Sequence, residues 1–146
     1  MGAALLQHAL RAQPEPLKSL KVHSAGVATL GGEPASPNAV AALRKVGIDL
    51  KGHSSRRITQ EMLDQALLVL CMTESHRDMI ELSANPVPGR LYLFREFTGD
   101  PLGQEIPDPY GMHLSAYEAC RDELVDAIPS IVKFLSELPA DAVSRR

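Results

Sequence analysis

Seven consecutive apolar residues, Ala66-Leu67-Leu68-Val69-Leu70-Cys71-Met72, occupy the middle of the chain with no polar residue among them. A strand with one wet face alternates apolar and polar positions, whereas a strand dry on both faces gives an unbroken run, as in a parallel sheet covered by helices. Thr73 follows as a helix N-cap, and the spacing predicts a helix to about residue 82. Pro86, Pro88 and Gly89 end it, and 90–94 reads as a second strand. Strands separated by helices define an α/β fold with a mainly parallel sheet.

The rest of the chain fits one domain over residues 1–146, since 45% hydrophobic content supplies a core for that length. A formal net charge of -3 leaves no positive excess to neutralise a phosphate backbone, so nucleic acid is not expected as a partner. The apolar runs fall well short of the ~20 residues of a membrane span, and no basic stretch leads into a cleavable signal, so a cytoplasmic protein with no membrane partner is expected. Cys71 and Cys120 are too few for a disulfide framework, and neither has a neighbour at zinc-ligand spacing; no metal and no cofactor is expected.

Leu5, Leu6, Ala9 and Leu10 lie at helical spacing until Pro14 and Pro16. No capping residue precedes Met1, so this helix reads as the continuation of something upstream. Residues 20–24 form a strand candidate, followed by a loop punctuated by Gly26, Gly31, Gly32, Pro34 and Pro37. Ser36 and Pro37 open the next helix as N-cap and first helical residue, with Val40, Leu43 and Val46 inward and an end at Gly47. Thr59 caps a short helix to Leu63. The segment 95–111 is longer than an ordinary connection and is either functional or disordered. A closing helix over about 114–138 carries Tyr117, Leu124, Ile128, Ile131 and Leu135 on its buried stripe.

In open parallel sheets ligands bind beyond the carboxyl ends of the strands. The segments there are Ser24-Ala25-Gly26-Val27, His53-Ser54-Ser55, Met72-Thr73 and Asp108-Pro109-Tyr110-Gly111. In order and spacing, together with Pro34-Ala35, Gly47-Ile48 and Leu68-Val69-Leu70, the chain resembles the low-molecular-weight protein tyrosine phosphatase family. It is most similar to the bacterial branch that includes protein arginine phosphatases. The resemblance implies a three-layer α/β sandwich around a four-stranded parallel sheet. It also implies hydrolysis of a phosphorylated protein or a small aryl phosphate, on phosphotyrosine or phosphoarginine, through a phosphocysteine intermediate.

In that family the first strand ends in a Cys-x5-Arg-Ser/Thr-Pro loop that holds phosphate and supplies the nucleophile, and the helix after it begins much like Met1-Gly2-Ala3-Ala4-Leu5-Leu6. This sequence contains no such loop. The expectation is therefore an N-terminally incomplete domain lacking ~15 residues, one strand and its loop, as a reading frame opened at an internal methionine would give. The lost strand would be an interior one, leaving either a hole or an improvised repair. Cys71 to Arg77 has Cys-x5-Arg spacing, but it has no glycine to curl a backbone nest and places Glu74 beside the anion, so it is not expected to be catalytic.

On the residues alone, Asp108-Pro109-Tyr110-Gly111 is a turn whose aspartate bonds its own backbone. By the resemblance, Asp108 is the general acid that protonates the leaving group and then activates water, and like charge from a phosphate dianion favours the proton-donating form of a neighbouring carboxyl. Tyr110 would wall the substrate slot, and Ser24 and His53 would support the phosphate-binding loop. Residues 29–32 would shape the slot. Two other readings stay open: a non-catalytic binding module, and, more weakly, an arsenate reductase, for which Cys71 and Cys120 lie poorly as resolving thiols.

Overall fold

The computed structural model describes residues 1–26, 31–50 and 52–144. Within these, α1 (Gly2–Arg11), α2 (Pro37–Arg44), α3 (Gln60–Gln65), α4 (Glu74–Ser83), α5 (Leu114–Ser136) and α6 (Ala140–Ser144) surround two strands, β1 (Val69–Cys71) and β2 (Leu91–Leu93). Three of the expected caps are made: Ser36 accepts from the Ala39 N–H at 3.3 Å, and Thr59 and Thr73 accept from Met62 and His76 at 3.2 Å each. The α2 helix stops at Arg44 rather than at Gly47, which has φ +81 and closes the following turn. Val46 consequently falls beyond the helical register and is exposed rather than inward.

β1 and β2 are parallel, with Val69 opposite Leu91 and Cys71 opposite Leu93. The unbroken apolar run is explained by two cores, one on each sheet face. Val69, Cys71, Leu91 and Leu93 pack with Leu63 of α3 and Ile80 of α4, while Leu68, Leu70, Met72 and Phe94 pack into the larger cluster built by α1, α2 and α5. Alternate residues thus serve opposite faces, each packed against helices, although within 66–72 only Leu67 and Cys71 are fully buried. The layers are those of a helix–sheet–helix sandwich.

The family sheet of four strands, less the first one expected to be missing, would leave three here; among the described residues the sheet has two. Residues 20–24 are not a strand. Their side chains alternate as a strand's would, with Leu20, Val22 and Ser24 half-buried and Lys21 and His23 exposed, but no neighbouring strand bonds to them. The partner is a side chain. Gln7 of α1 donates from Nε2 to the Leu20 carbonyl at 2.9 Å and accepts at Oε1 from the Val22 N–H at 2.8 Å. One amide group thus imitates one rung of a ladder. On β1, Val69 and Cys71 direct their backbone groups toward β2, as the bonds from the Val69 N–H to Arg90 and from the Phe94 N–H to Cys71 show. By alternation Leu70 presents its N–H and C=O to the opposite edge, where no strand is bonded among the described residues.

Candidate active site

A shallow cavity of about 190 Å³ lies where three helices begin. Met1 precedes α1, Ser36 and Ala39 belong to the first turn of α2, and Tyr117 comes from the first turn of α5. None of these first turns contains an acidic residue. Helix N-termini carry partial positive charge, which favours an anion nearby; at α2 Pro37 has no N–H and that of Ala39 is taken by the Ser36 hydroxyl, so the first turn keeps only the Asn38 N–H to offer. His53 and the Asp108-Pro109-Tyr110 segment complete the walls.

Asp108 forms the turn that its motif predicts, at the cavity wall. Its Oδ1 accepts from the Tyr110 N–H at 3.0 Å, and the Met112 N–H donates to the Pro109 carbonyl at 2.9 Å, closing a turn in which Gly111 has φ +78. Oδ2 makes no hydrogen bond among the described residues, and the carboxylate borders the cavity. Tyr110 is 80% exposed, so its ring stands as a rim rather than as core. The long segment before it is ordered by definite anchors. Arg95 donates from Nε to the Gly103 carbonyl at 2.9 Å and from Nη1 to the Glu123 carbonyl at 2.8 Å. Glu105 accepts from the Glu74 N–H at 2.8 Å, and the Ile106 N–H donates to the Met72 carbonyl at 2.8 Å while its side chain is buried.

His53 lines the cavity, and partial burial lowers its pKa, with the Met1 α-ammonium and Arg56 adding to the effect; the neutral imidazole is favoured. Burial likewise lowers the Met1 amine, against the opposing pull of Cys120 and Asp108. Ser24 is not brought to the cavity walls. It ends the Gln7-held segment, just before Gly26 bridges Arg57. Val27, Ala28, Thr29, Leu30 and Lys51 lie outside the described residues, and with them part of the expected 29–32 slot.

Neither cysteine is built as a nucleophile. Cys71 is buried at 5% exposure, and burial pushes its thiol up to about 11, with Arg77 opposing and Glu81 adding. Arg77 is already paired with Glu96 at 3.0 Å and Glu74 at 3.8 Å, so the Cys71–Arg77 spacing makes no phosphate cradle. Cys120 in α5 is close enough to feel both Met1 and Asp108, yet burial raises its pKa, opposed by the α-ammonium and assisted by Glu123 and Asp108. The places of Ser36 and Tyr117 in the cavity wall are not visible in local sequence.

The family model for low molecular weight phosphotyrosine protein phosphatase matches residues 1–142. The chain belongs to this family. Among its relatives, a protein-arginine-phosphatase of Geobacillus stearothermophilus is 33% identical over 135 residues, covering 92% of this chain and 86% of that protein. The Escherichia coli K12 low molecular weight protein-tyrosine-phosphatase Etp is 35% identical over 102 residues, 70% of this chain and 67% of that protein. Among solved structures, the T. tengcongensis low molecular weight protein tyrosine phosphatase superposes with a TM-score of 0.81 at 30% identity, covering 91% of this chain and 88% of that one. The Geobacillus stearothermophilus YwlE arginine phosphatase gives 0.80 at 32%, covering 92% and 82%. As a phosphatase-family domain, the chain has an α/β architecture with a small parallel sheet, and no described helix is long and apolar enough to cross a membrane.

Proposed function

We propose that this domain is the acid-bearing body of a phosphoprotein phosphatase that works through a phosphocysteine, with Asp108 as the general acid and Tyr110 as a wall of the substrate slot. The observation that carries the reading is the placement of Asp108 at a cavity ringed by three helix starts with no acidic first turn. A phosphate there would meet the positive ends of those helices, with the Asp108 carboxyl in the cavity wall.

The chemistry runs in two steps. A cysteine thiolate attacks phosphorus, the bond from phosphorus to the leaving oxygen of tyrosine or nitrogen of arginine breaks, and Asp108 gives its proton to that leaving atom. Asp108 then takes a proton from water, which attacks the phosphocysteine, releasing phosphate and restoring the thiolate. The thiolate has to come from a Cys-x5-Arg-Ser/Thr-Pro loop, which is not among these 146 residues. The two open backbone edges, at Leu70 and along 20–24, support an additional strand between them carrying that loop. His53 and Ser24 would then support the loop, Ser24 only after a shift toward it.

The 146 residues alone are accordingly expected to lack turnover, and in that form the non-catalytic reading describes them. The nucleotide sequence upstream of Met1 is the first test: an in-frame Cys-x5-Arg-Ser/Thr-Pro is expected. With that segment attached, Asp108→Asn should lower kcat by roughly 10²–10⁴-fold for a substrate with a poor leaving group, with phosphate binding retained. An unchanged kcat would refute the general-acid role. Activity of the present chain on an aryl phosphate, abolished by Cys71→Ser, would overturn the assignment of the nucleophile.

A further inference from the structure

The Asp108 turn is held from both sides, and the two anchors differ in kind. Upstream, Ile106 is bonded by its own backbone to the end of β1 and buried by its own side chain. Downstream, the hold comes from another element. Asn38, in the first turn of α2, donates from Nδ2 to the Met112 carbonyl at 3.2 Å. Met112 is also the residue whose N–H closes the turn onto Pro109, so one residue is bonded to the turn through its N–H and to α2 through its carbonyl.

The helix that carries Asn38 is itself fixed. Ala42 and Leu43 of α2 are wholly buried, Arg121 of α5 donates to the Ala42 carbonyl at 2.9 Å, and Lys45 pairs with Glu118 of α5 at 3.0 Å. The α2–α5 pair is a rigid block, and Ser36 and Ala39 on either side of Asn38 line the cavity. The amide therefore ties the far end of the turn, beyond the buried Pro109, to the wall it must face. Without it, residues 110–112 have only the turn's own bonds, and Tyr110 and Met112 bring no burial to replace it, being 80% and 58% exposed.

We propose that Asn38 is a positioning residue for Asp108: its side-chain amide, bonded to the Met112 carbonyl, fixes where the Asp108 carboxylate stands over the cavity. This deepens the phosphatase reading and rests on it for its catalytic meaning, but the geometric claim can be tested without turnover. The Tyr110 N–H is bonded to the Asp108 carboxylate, so its proton shift in an ¹H–¹⁵N spectrum of the full 146-residue chain moves as that carboxyl is titrated; Asp108→Asn abolishes the movement and identifies it.

Asn38→Ala is expected to reduce the amplitude of that pH-dependent shift by half or more, while amides of Leu43 and Ile131 keep their positions. Asn38→Gln, which retains an amide donor on a longer arm, is expected to recover most of the amplitude. Full amplitude in Asn38→Ala overturns the proposal, because the turn then holds itself. Equal loss in Asn38→Ala and Asn38→Gln also overturns it, since the donor would not be what matters. Failure of the phosphatase reading would show in turnover of the extended chain and leave this readout untouched.

Discussion

β1 and the segment 20–24 both send side chains into the larger core, one from an unbroken apolar run and the other from alternating positions, and they are held in different ways. β1 lies between two apolar clusters and is bonded along one edge to β2. Segment 20–24 buries only Leu20, Val22 and Ser24 in part, and its backbone finds Gln7 instead of a strand. Strand conformation is a local property of alternating side chains, whereas strand pairing needs a second backbone at the right distance. Where none is present, an amide side chain of suitable reach takes one rung and leaves the others open.

The largest effect that would sharpen this comparison is in the doubly covered region. Leu93, 1% exposed in the smaller cluster, should cost about 2–5 kcal/mol on truncation to alanine, while Leu20→Ala should cost about 1 kcal/mol or less. Equal losses in urea unfolding would show that segment 20–24 is as integral to the core as β2. Next in size is Gln7→Ala, which removes both hydrogen bonds of that rung and should cost about 1–2 kcal/mol. Gln7→Glu keeps only the acceptor for the Val22 N–H, so an intermediate loss is expected. If Gln7→Ala proves neutral, the rung is incidental.

A pH effect separates the two regions again. Cys71 in β1 holds its proton up to about 11 in the folded chain, against the ordinary thiol value of 9.0. The unfolded chain releases that proton first, so stability should fall as pH rises from about 9 to about 11, and Cys71→Ala should flatten this limb. His53, at the cavity, behaves oppositely. Its folded pKa is lowered from 6.5, so its contribution is present above that value and is lost as pH falls below it. A melting series across both limits, with His53→Gln as control, checks the signs.

Much of the fold was legible because it depends on short-range chemistry. Ser36, Thr59 and Thr73 cap the helices they precede, since a hydroxyl in that position reaches an N–H three residues on. The buried stripe of α5 follows from helical period alone and passes Pro129 without a break in the helix. The turn at Asp108 was readable for the same reason. The misreadings were of longer range. Val46 looked inward only if α2 continued to Gly47, and residues 20–24 looked like a strand only if a neighbour was there to bond them.

What this sequence determined by itself is the set of local elements and the two-sided burial of 66–72, because capping, periodicity and turn formation depend on residues within a few positions of each other. Tertiary structure alone decided which elements begin around one cavity, that Gln7 would stand in for a ladder rung, that Arg77 would face Glu96, and that Asn38 would reach Met112 from 74 residues away. Those outcomes depend on distances between segments remote in sequence, set only when the helices pack on the sheet and fix where each side chain can reach.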